Sequence, residues 1–157
     1  GPTTSKIAQV VSTTLTTTFT MASQTYATVT GLTATITPTL NTSKILVVAS
    51  LSGTGDNGIS RSTAQLVRDS TAIAIATSAG SRVAGTSPLP IASNNEIFST
   101  ILLFLDSPAT TSALVYGVQV RSNDTAATTY VNRSKSDTDN VSFTRAVSTI
   151  TVIEVLA

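Results

Sequence analysis

The chain has 157 residues with no cysteine and no histidine, which excludes disulfides, thiolate metal sites, Cys nucleophiles and His-based proton transfer. Charged residues make up 11%, nine Lys or Arg against eight Asp or Glu, and the basic ones are scattered, so nucleic acid is not an expected partner. Ser and Thr supply about a third of the residues and aromatics only 4%, a composition that suits strands.

Gly1 and Pro2 match a cloning scar left by protease cleavage, and no signal peptide is expected ahead of Thr3. Residues 3–157 read as a single domain, within which 3–22 include a partly extended N-terminal connection. No apolar run approaches the roughly 18 residues of a membrane-crossing helix, so no membrane insertion is expected.

Strand signals recur along the chain between clusters of Gly, Asn, Asp, Ser and Pro. Residues 6–11 form the first, and a Thr-rich connection runs through Thr20. Strands at 25–30 and 32–37 follow, with a bend or bulge at Gly31 and a stop at Pro38. Residues 44–51 are apolar at nearly every position, which predicts a central strand covered on both faces. The loop 53–58 leads to a strand at 59–69, which Asp69-Ser70 turns into the short run 71–77 as a hairpin. Residues 78–95, with Gly80, Gly85, Pro88 and Pro90, are the longest irregular stretch and the first place to seek variable function.

Residues 96–106 place Ile97, Ile101, Leu103 and Leu105 on one face and Phe98, Leu102 and Phe104 on the other. A strand greasy on both faces is an aggregation hazard unless covered, and a subunit contact is the preferred cover. Strand 113–121 alternates Leu114, Tyr116, Val118 and Val120 with Val115, Gly117, Gln119 and Arg121, a half-buried pattern. A turn at 122–126, a short strand at 128–133, a polar stretch at 134–140 and a two-faced apolar strand at 147–156 complete the chain. Nine or ten short strands, no helix and one core predict an all-β fold, an antiparallel two-sheet jelly-roll sandwich. The spacings are too varied for a solenoid. The excess apolar surface of 96–106 and 147–156 predicts a homotrimer, with Ile97, Ile101, Leu103, Ile150 and Val152 at its interface.

Several segments carry a family resemblance. They are Lys6-Ile-Ala-Gln-Val-Val11, Val29-Thr-Gly-Leu-Thr-Ala-Thr-Ile-Thr-Pro38, Ser43-Lys-Ile-Leu-Val-Val48 and Leu66-Val-Arg-Asp-Ser-Thr71, followed by Phe104-Leu-Asp-Ser-Pro-Ala-Thr-Thr-Ser112, Tyr116-Gly-Val-Gln-Val-Arg-Ser122, Tyr130-Val-Asn-Arg133 and Ser148-Thr-Ile-Thr-Val-Ile-Glu-Val155. Together they resemble domains of virion structural and tail-fibre proteins of bacteriophages, of the marine and aquatic kind. The strand order is also similar in architecture to the trimeric jelly-roll heads of complement-type and tumour-necrosis-factor-like proteins. The resemblance implies a virion location and contact with other virion proteins through the N-terminus. It carries no catalytic motif.

Asp137-Thr-Asp139-Asn140 has the alternation that begins a calcium loop, but the required Gly and the closing Glu are missing. A polar turn is the expectation, and no metal or cofactor is expected. Asp56 and Asn57, between Gly55 and Gly58, have ordinary turn chemistry and also the groups to meet a sugar. Glycoside hydrolysis needs two carboxylates about 5–10 Å apart, and the candidates are few: Asp106 at a strand end, Glu96 and Glu154 on or beside apolar strands. Glu154 is expected either opposite Arg121, Arg133 or Arg145 or in solvent. Of the tyrosines, Tyr130 is the one expected to be exposed, among Thr128, Thr129, Asn132 and Arg133.

The expected function is that of a non-enzymatic virion structural protein, the distal receptor-binding head of a tail fibre, contacting a host cell-surface glycan or protein. Asp56, Asn57, Asn94, Asn95, Asn123, Asp124 and Tyr130 are the candidate contacts. A capsid decoration or head-fibre protein is the first rival reading, and a carbohydrate-active enzyme using loop carboxylates the second.

Overall fold

The computed structural model describes residues 5–56 and 61–157. Among the described residues there is no helix, and eleven strands are formed: β1 (Ile7–Leu15), β2 (Phe19–Met21), β3 (Ala27–Ile36), β4 (Lys44–Thr54), β5 (Ser62–Arg68), β6 (Thr71–Ile73), β7 (Ser87–Leu89), β8 (Phe98–Asp106), β9 (Leu114–Ser122), β10 (Thr129–Val131) and β11 (Ser148–Val155). No helix long and apolar enough to cross a membrane is present among these residues.

The strands pair antiparallel in two sheets. In the first, β11 lies between β1 and β4, and β8 takes the other edge of β4. Gly53 near the end of β4 pairs with Phe98 of β8 on one edge and Val131 of β10 on the other, so β10 continues the lane of β11, and β2 pairs β10 in turn. The second sheet runs β3-β9-β5, with β6 and β7 sharing the outer edge of β5. The order β1-β11-β4-β8 facing β3-β9-β5-β6 is that of an eight-lane jelly roll. The two-sheet antiparallel sandwich expected from the strand pattern is therefore present, with eleven strands because short pieces extend the lanes.

Period-two alternation builds the core. β11 alternates buried and half-buried residues without a break, and Ile45, Val47, Ala49 and Leu51 of β4 meet Leu32, Ala34, Ile36, Leu66, Tyr116 and Val118 in one cluster. β4 is central, as its composition predicts. Its outward residues Leu46 and Val48 are only half-buried. Gly31 takes a φ of 84°, and the β3–β9 register slips between Thr28 and Thr33, so the bend forms inside one strand rather than between two. Asp69, at a φ of 53°, closes the β5–β6 hairpin, and its Oδ1 accepts the Val115 amide at 2.9 Å.

Two buried polar networks close the end of the sandwich where β4 begins. Asp106 Oδ2 accepts from Arg68 Nη1 at 2.5 Å and from the Tyr116 hydroxyl at 2.7 Å, joining the sheets. Burial, and then the bond to Asp106, raise the Tyr116 phenol well above its ordinary range. Glu154 is fully buried. Its carboxylate accepts from Gln9 Nε2 at 2.6 Å, the Thr39 amide at 2.6 Å, the Thr39 hydroxyl at 2.8 Å and the Ser43 hydroxyl at 2.7 Å. Burial alone pushes this carboxyl up, but the bonds from Ser43, Gln9 and Thr39 override it and hold it down to about 2.

These contacts correct several expectations. Glu154 meets none of the three arginines and no solvent, because two hydroxyls and two amides satisfy it. Ile150 and Val152, expected at a subunit contact, are fully buried on the inward face of β11 together with Glu154. The outward residues of that strand are Thr149, Thr151, Ile153 and Val155, since the side-chain period is two. The described part of 3–22 forms two strands, β1 pairing β11 along almost its whole length and β2 pairing β10.

Candidate functional site

The two outer faces of the sandwich differ in chemistry. Outward on the first sheet stand Ile101, Leu103 and Leu105 of β8, Leu46, Val48 and Ser50 of β4, Thr149, Thr151, Ile153 and Val155 of β11, and Ile7, Val10, Ser12 and Thr14 of β1. The register lines Leu105, Leu46, Ile153 and Val10 across four strands as one apolar row. Leu103 is 61% and Ile101 60% exposed in the single chain. Lys44, which pairs with Val155 at the start of β4, adds the one charge to these strand positions, and its Nζ donates to Ser107 at the sheet corner.

The second sheet turns a polar face outward. Gln65 Nε2 donates to Gln119 Oε1 at 2.7 Å, and Gln119 Nε2 donates to Thr28 Oγ1 at 3.4 Å. Part of the segment 74–86 folds onto this face. The Tyr26 hydroxyl donates to the Ala84 carbonyl at 2.7 Å with the Arg121 guanidinium 5.7 Å from its ring, and a Cβ on Gly85 would lie 2.4 Å from Thr63 Cγ2.

The candidate contact residues gather at one end of the sandwich, the end where β4 and β9 finish and β5, β8 and β10 begin. Residues Lys6 and Leu156, joined by a 2.8 Å backbone bond, lie at the opposite end. Asp56, Asn94 and Tyr130 are brought together by the loop between β10 and β11. Lys135 pairs with Asp56, the Ser136 amide donates to the Asn94 carbonyl at 2.9 Å, and Arg133 lies 5.3 Å over the Tyr130 ring. Tyr130 is half-buried rather than exposed, and Asn95 is exposed beside Asn94. Asn123 and Asp124 form a second group: Asn123 Oδ1 accepts from Thr63 at 3.1 Å, and Asp124 Oδ1 caps the Ala126 amide at 3.2 Å. Asn57 lies outside the described residues.

Ile97 is half-buried, while Ile101 and Leu103 lie on the bare apolar face. Glu96 folds back on its own turn, accepting from the Ser93 hydroxyl at 2.5 Å and the Ser93 amide at 3.2 Å, and these bonds lower its pKa. Asp137, weighed as the start of a calcium loop, instead accepts from Arg145 Nε at 2.5 Å and Nη2 at 2.6 Å, and the Arg145 bond holds it below the usual carboxylate range. No group of three metal-ligating side chains occurs among the described residues.

One hub escapes the sequence reading. Asn132, fully buried at a φ of 61°, donates from its amide to the carbonyls of Leu15 and Thr17 at 2.9 and 2.8 Å, while its Oδ1 accepts from Ser148 at 2.7 Å. It ties the end of β1 to the start of β11 and anchors the loop 133–147. The one local signal is its residue type, since Asn tolerates the left-handed backbone.

No protein-family model and no curated protein matches the chain. The functional reading accordingly stands on the jelly-roll fold, the apolar face and the loop end.

Proposed function

We propose that this chain is a non-enzymatic virion structural protein of a bacteriophage, a jelly-roll tail-fibre head that assembles as a homotrimer and adheres to the host surface through its loop end. The observation that carries the reading is the uncharged apolar row Leu105, Leu46, Ile153 and Val10 with Ile101 and Leu103 beside it. Such a face offers a charged partner nothing, but it suits a second copy of itself, and covering each half-exposed Leu stabilises the assembly by roughly 1 kcal/mol. With the apolar face buried, the loop end opposite Lys6 and Leu156 stays free to meet a receptor glycan or protein, and the other end to join virion proteins. The carboxylates weighed for hydrolysis have structural partners instead, Arg68 and Tyr116 for Asp106, Ser43 for Glu154 and Ser93 for Glu96, and the loop carboxylate Asp56 pairs with Lys135.

Light scattering at micromolar concentration tests the assembly. A threefold mass is expected, and a stable monomer overturns the trimer. Antibody labelling of purified virions tests the location. Tail-tip labelling is expected, and uniform labelling of the head overturns it in favour of capsid decoration. Reducing ends released from host polysaccharide, and lost in Asp56→Asn, would overturn the non-enzymatic reading.

A further inference from the structure

The loop 133–147 holds an open cleft of about 300 Å³ walled by Asp137, Asp139, Asn140, Phe143 and Arg145, with Thr138 and Thr144 between them. One wall and the tip of the cleft are tied by hydrogen bonds within the loop. The Arg145 guanidinium grips both oxygens of Asp137, and Arg133 Nε lies 3.6 Å from the same carboxylate. Arg133 also donates to the carbonyls of Ser134 at 2.9 Å and Lys135 at 2.6 Å, and a backbone bridge between Arg133 and Arg145 closes the neck of the loop. At the tip, Asn140 Oδ1 accepts the Ser142 amide at 2.9 Å, and the Phe143 amide donates to the Asn140 carbonyl at 3.0 Å. This turn leaves Val141 wholly exposed beside a half-buried Phe143. A cleft whose Arg145 wall is already paired to Asp137 has that side chain ordered before a ligand binds, which lowers the ordering cost.

The chemistry of the walls selects the ligand. A cation is disfavoured because Asp137 already holds a guanidinium, and an anion would meet the exposed carboxylate of Asp139. Among the described residues, the side chains of Asp139, Thr138 and Thr144 make no hydrogen bond within the protein, and the third guanidinium nitrogen of Arg145 is uncommitted. Acceptors and donors of both kinds therefore ring one aromatic side chain. A sugar ring is the complement, since each hydroxyl both donates and accepts while a face of C–H bonds can lie on the phenyl ring.

We infer that this cleft binds a neutral saccharide unit, with Phe143 as the stacking platform, Asp139 and Asn140 holding adjacent hydroxyls, and Asp137 fixing Arg145 as the opposite wall. The inference deepens the adhesin reading and rests on it for its biological role.

Saturation-transfer difference NMR on the full chain with methyl α-D-mannopyranoside, methyl β-D-galactopyranoside and methyl β-D-glucopyranoside tests it. Transfer to the ring protons of at least one glycoside is expected, weakened about tenfold by Phe143→Ala. Asp139→Ala, an exposed side chain without a protein partner, supplies a second variant whose folding is not at stake, and it too is expected to weaken transfer. No transfer from any of the three, or transfer unchanged in both variants, overturns the site. Binding of labelled protein to host cells separates the two readings. Cells bound equally by wild type and Phe143→Ala overturn the cleft and leave the adhesin, whereas glycoside binding without binding to any host strain overturns the adhesin and leaves the cleft.

Discussion

The outer face of the β1-β11-β4-β8 sheet and that of the β3-β9-β5 sheet are made of strands of similar length, yet the chain treats them differently. The segment 74–86 covers part of the polar one, and among the described residues no segment covers the apolar one. A loop laid on a sheet brings unpaired backbone groups with it, and the second sheet can satisfy them: the Tyr26 hydroxyl donates to the Ala84 carbonyl on the face, and the Thr86 amide donates to the Ala64 carbonyl at 2.9 Å along the outer edge of β5. Leu103, Leu105 and Ile153 could not. An apolar row asks for another apolar surface, and a symmetric copy supplies one without polar groups left over.

The comparison breaks most visibly by placing a charge on the bare face. If the proposed trimer forms, Leu103→Asp is expected to leave only monomer in light scattering, with association weakened more than about 100-fold, because an unpaired buried charge costs several kcal/mol. Gln119→Asp on the opposite face should leave the mass unchanged. Loss of assembly in both variants would show that the two faces are not distinguished as proposed.

Beneath the apolar face, Glu154→Ala should destabilise the fold by about 3 kcal/mol or more in urea denaturation, since each buried donor left unsatisfied costs about 1–3 kcal/mol. The same carboxylate predicts a pH dependence. Its folded pKa of about 2 lies below the ordinary 4.5, so its stabilisation is fully present above pH 4.5 and is lost as pH falls towards 2. Glu154→Gln should flatten that part of the stability–pH curve, and an unchanged curve would remove Glu154 as its source.

On the covered face, a Cβ at Gly85 would sit 2.4 Å from Thr63 Cγ2, 2.6 Å from the Tyr26 hydroxyl oxygen and 3.0 Å from the Ala64 carbonyl oxygen. Gly85→Ala is therefore expected to cost about 1–3 kcal/mol in denaturation and to speed proteolysis within 74–86. The smallest effect belongs to Ala74, which begins that segment at a φ of 55°. Ala74→Gly relieves a left-handed backbone costing about 1–2 kcal/mol but adds freedom to the unfolded chain, for a net gain of about 0.5 kcal/mol in chemical denaturation.

Much of the sandwich is legible in the sequence because burial on one side of a sheet imprints a period of two. Strand 113–121, the Asp69-Ser70 hairpin and the Gly31 bend all follow from neighbours within a few residues. β11 marks where that legibility stops. Ile150, Val152, Ile153 and Val155 make both of its faces apolar, and a charge at Glu154 argues locally for turning the 150–152–154 face outward. The fold does the opposite, because Gln9, Thr39 and Ser43 supply four donors from positions 111 to 145 residues away. The Asp106–Tyr116–Arg68 network and the Asn132 hub are hidden for the same reason. In the candidate cleft, Asp137 was visible as a carboxylate, but its partner Arg145 and the platform Phe143 come together only when the loop folds back on itself.

By itself the sequence determined an all-β chain without thiol or imidazole chemistry, with strands whose apolar residues exceed what one thin core can hide, since composition and two-residue periodicity are properties of the chain alone. The tertiary structure decided which side of β8 and β11 meets solvent, which carboxylates are locked in networks and which remain free around Phe143. Those are choices of register and long-range partner, and they exist only once distant segments are packed together.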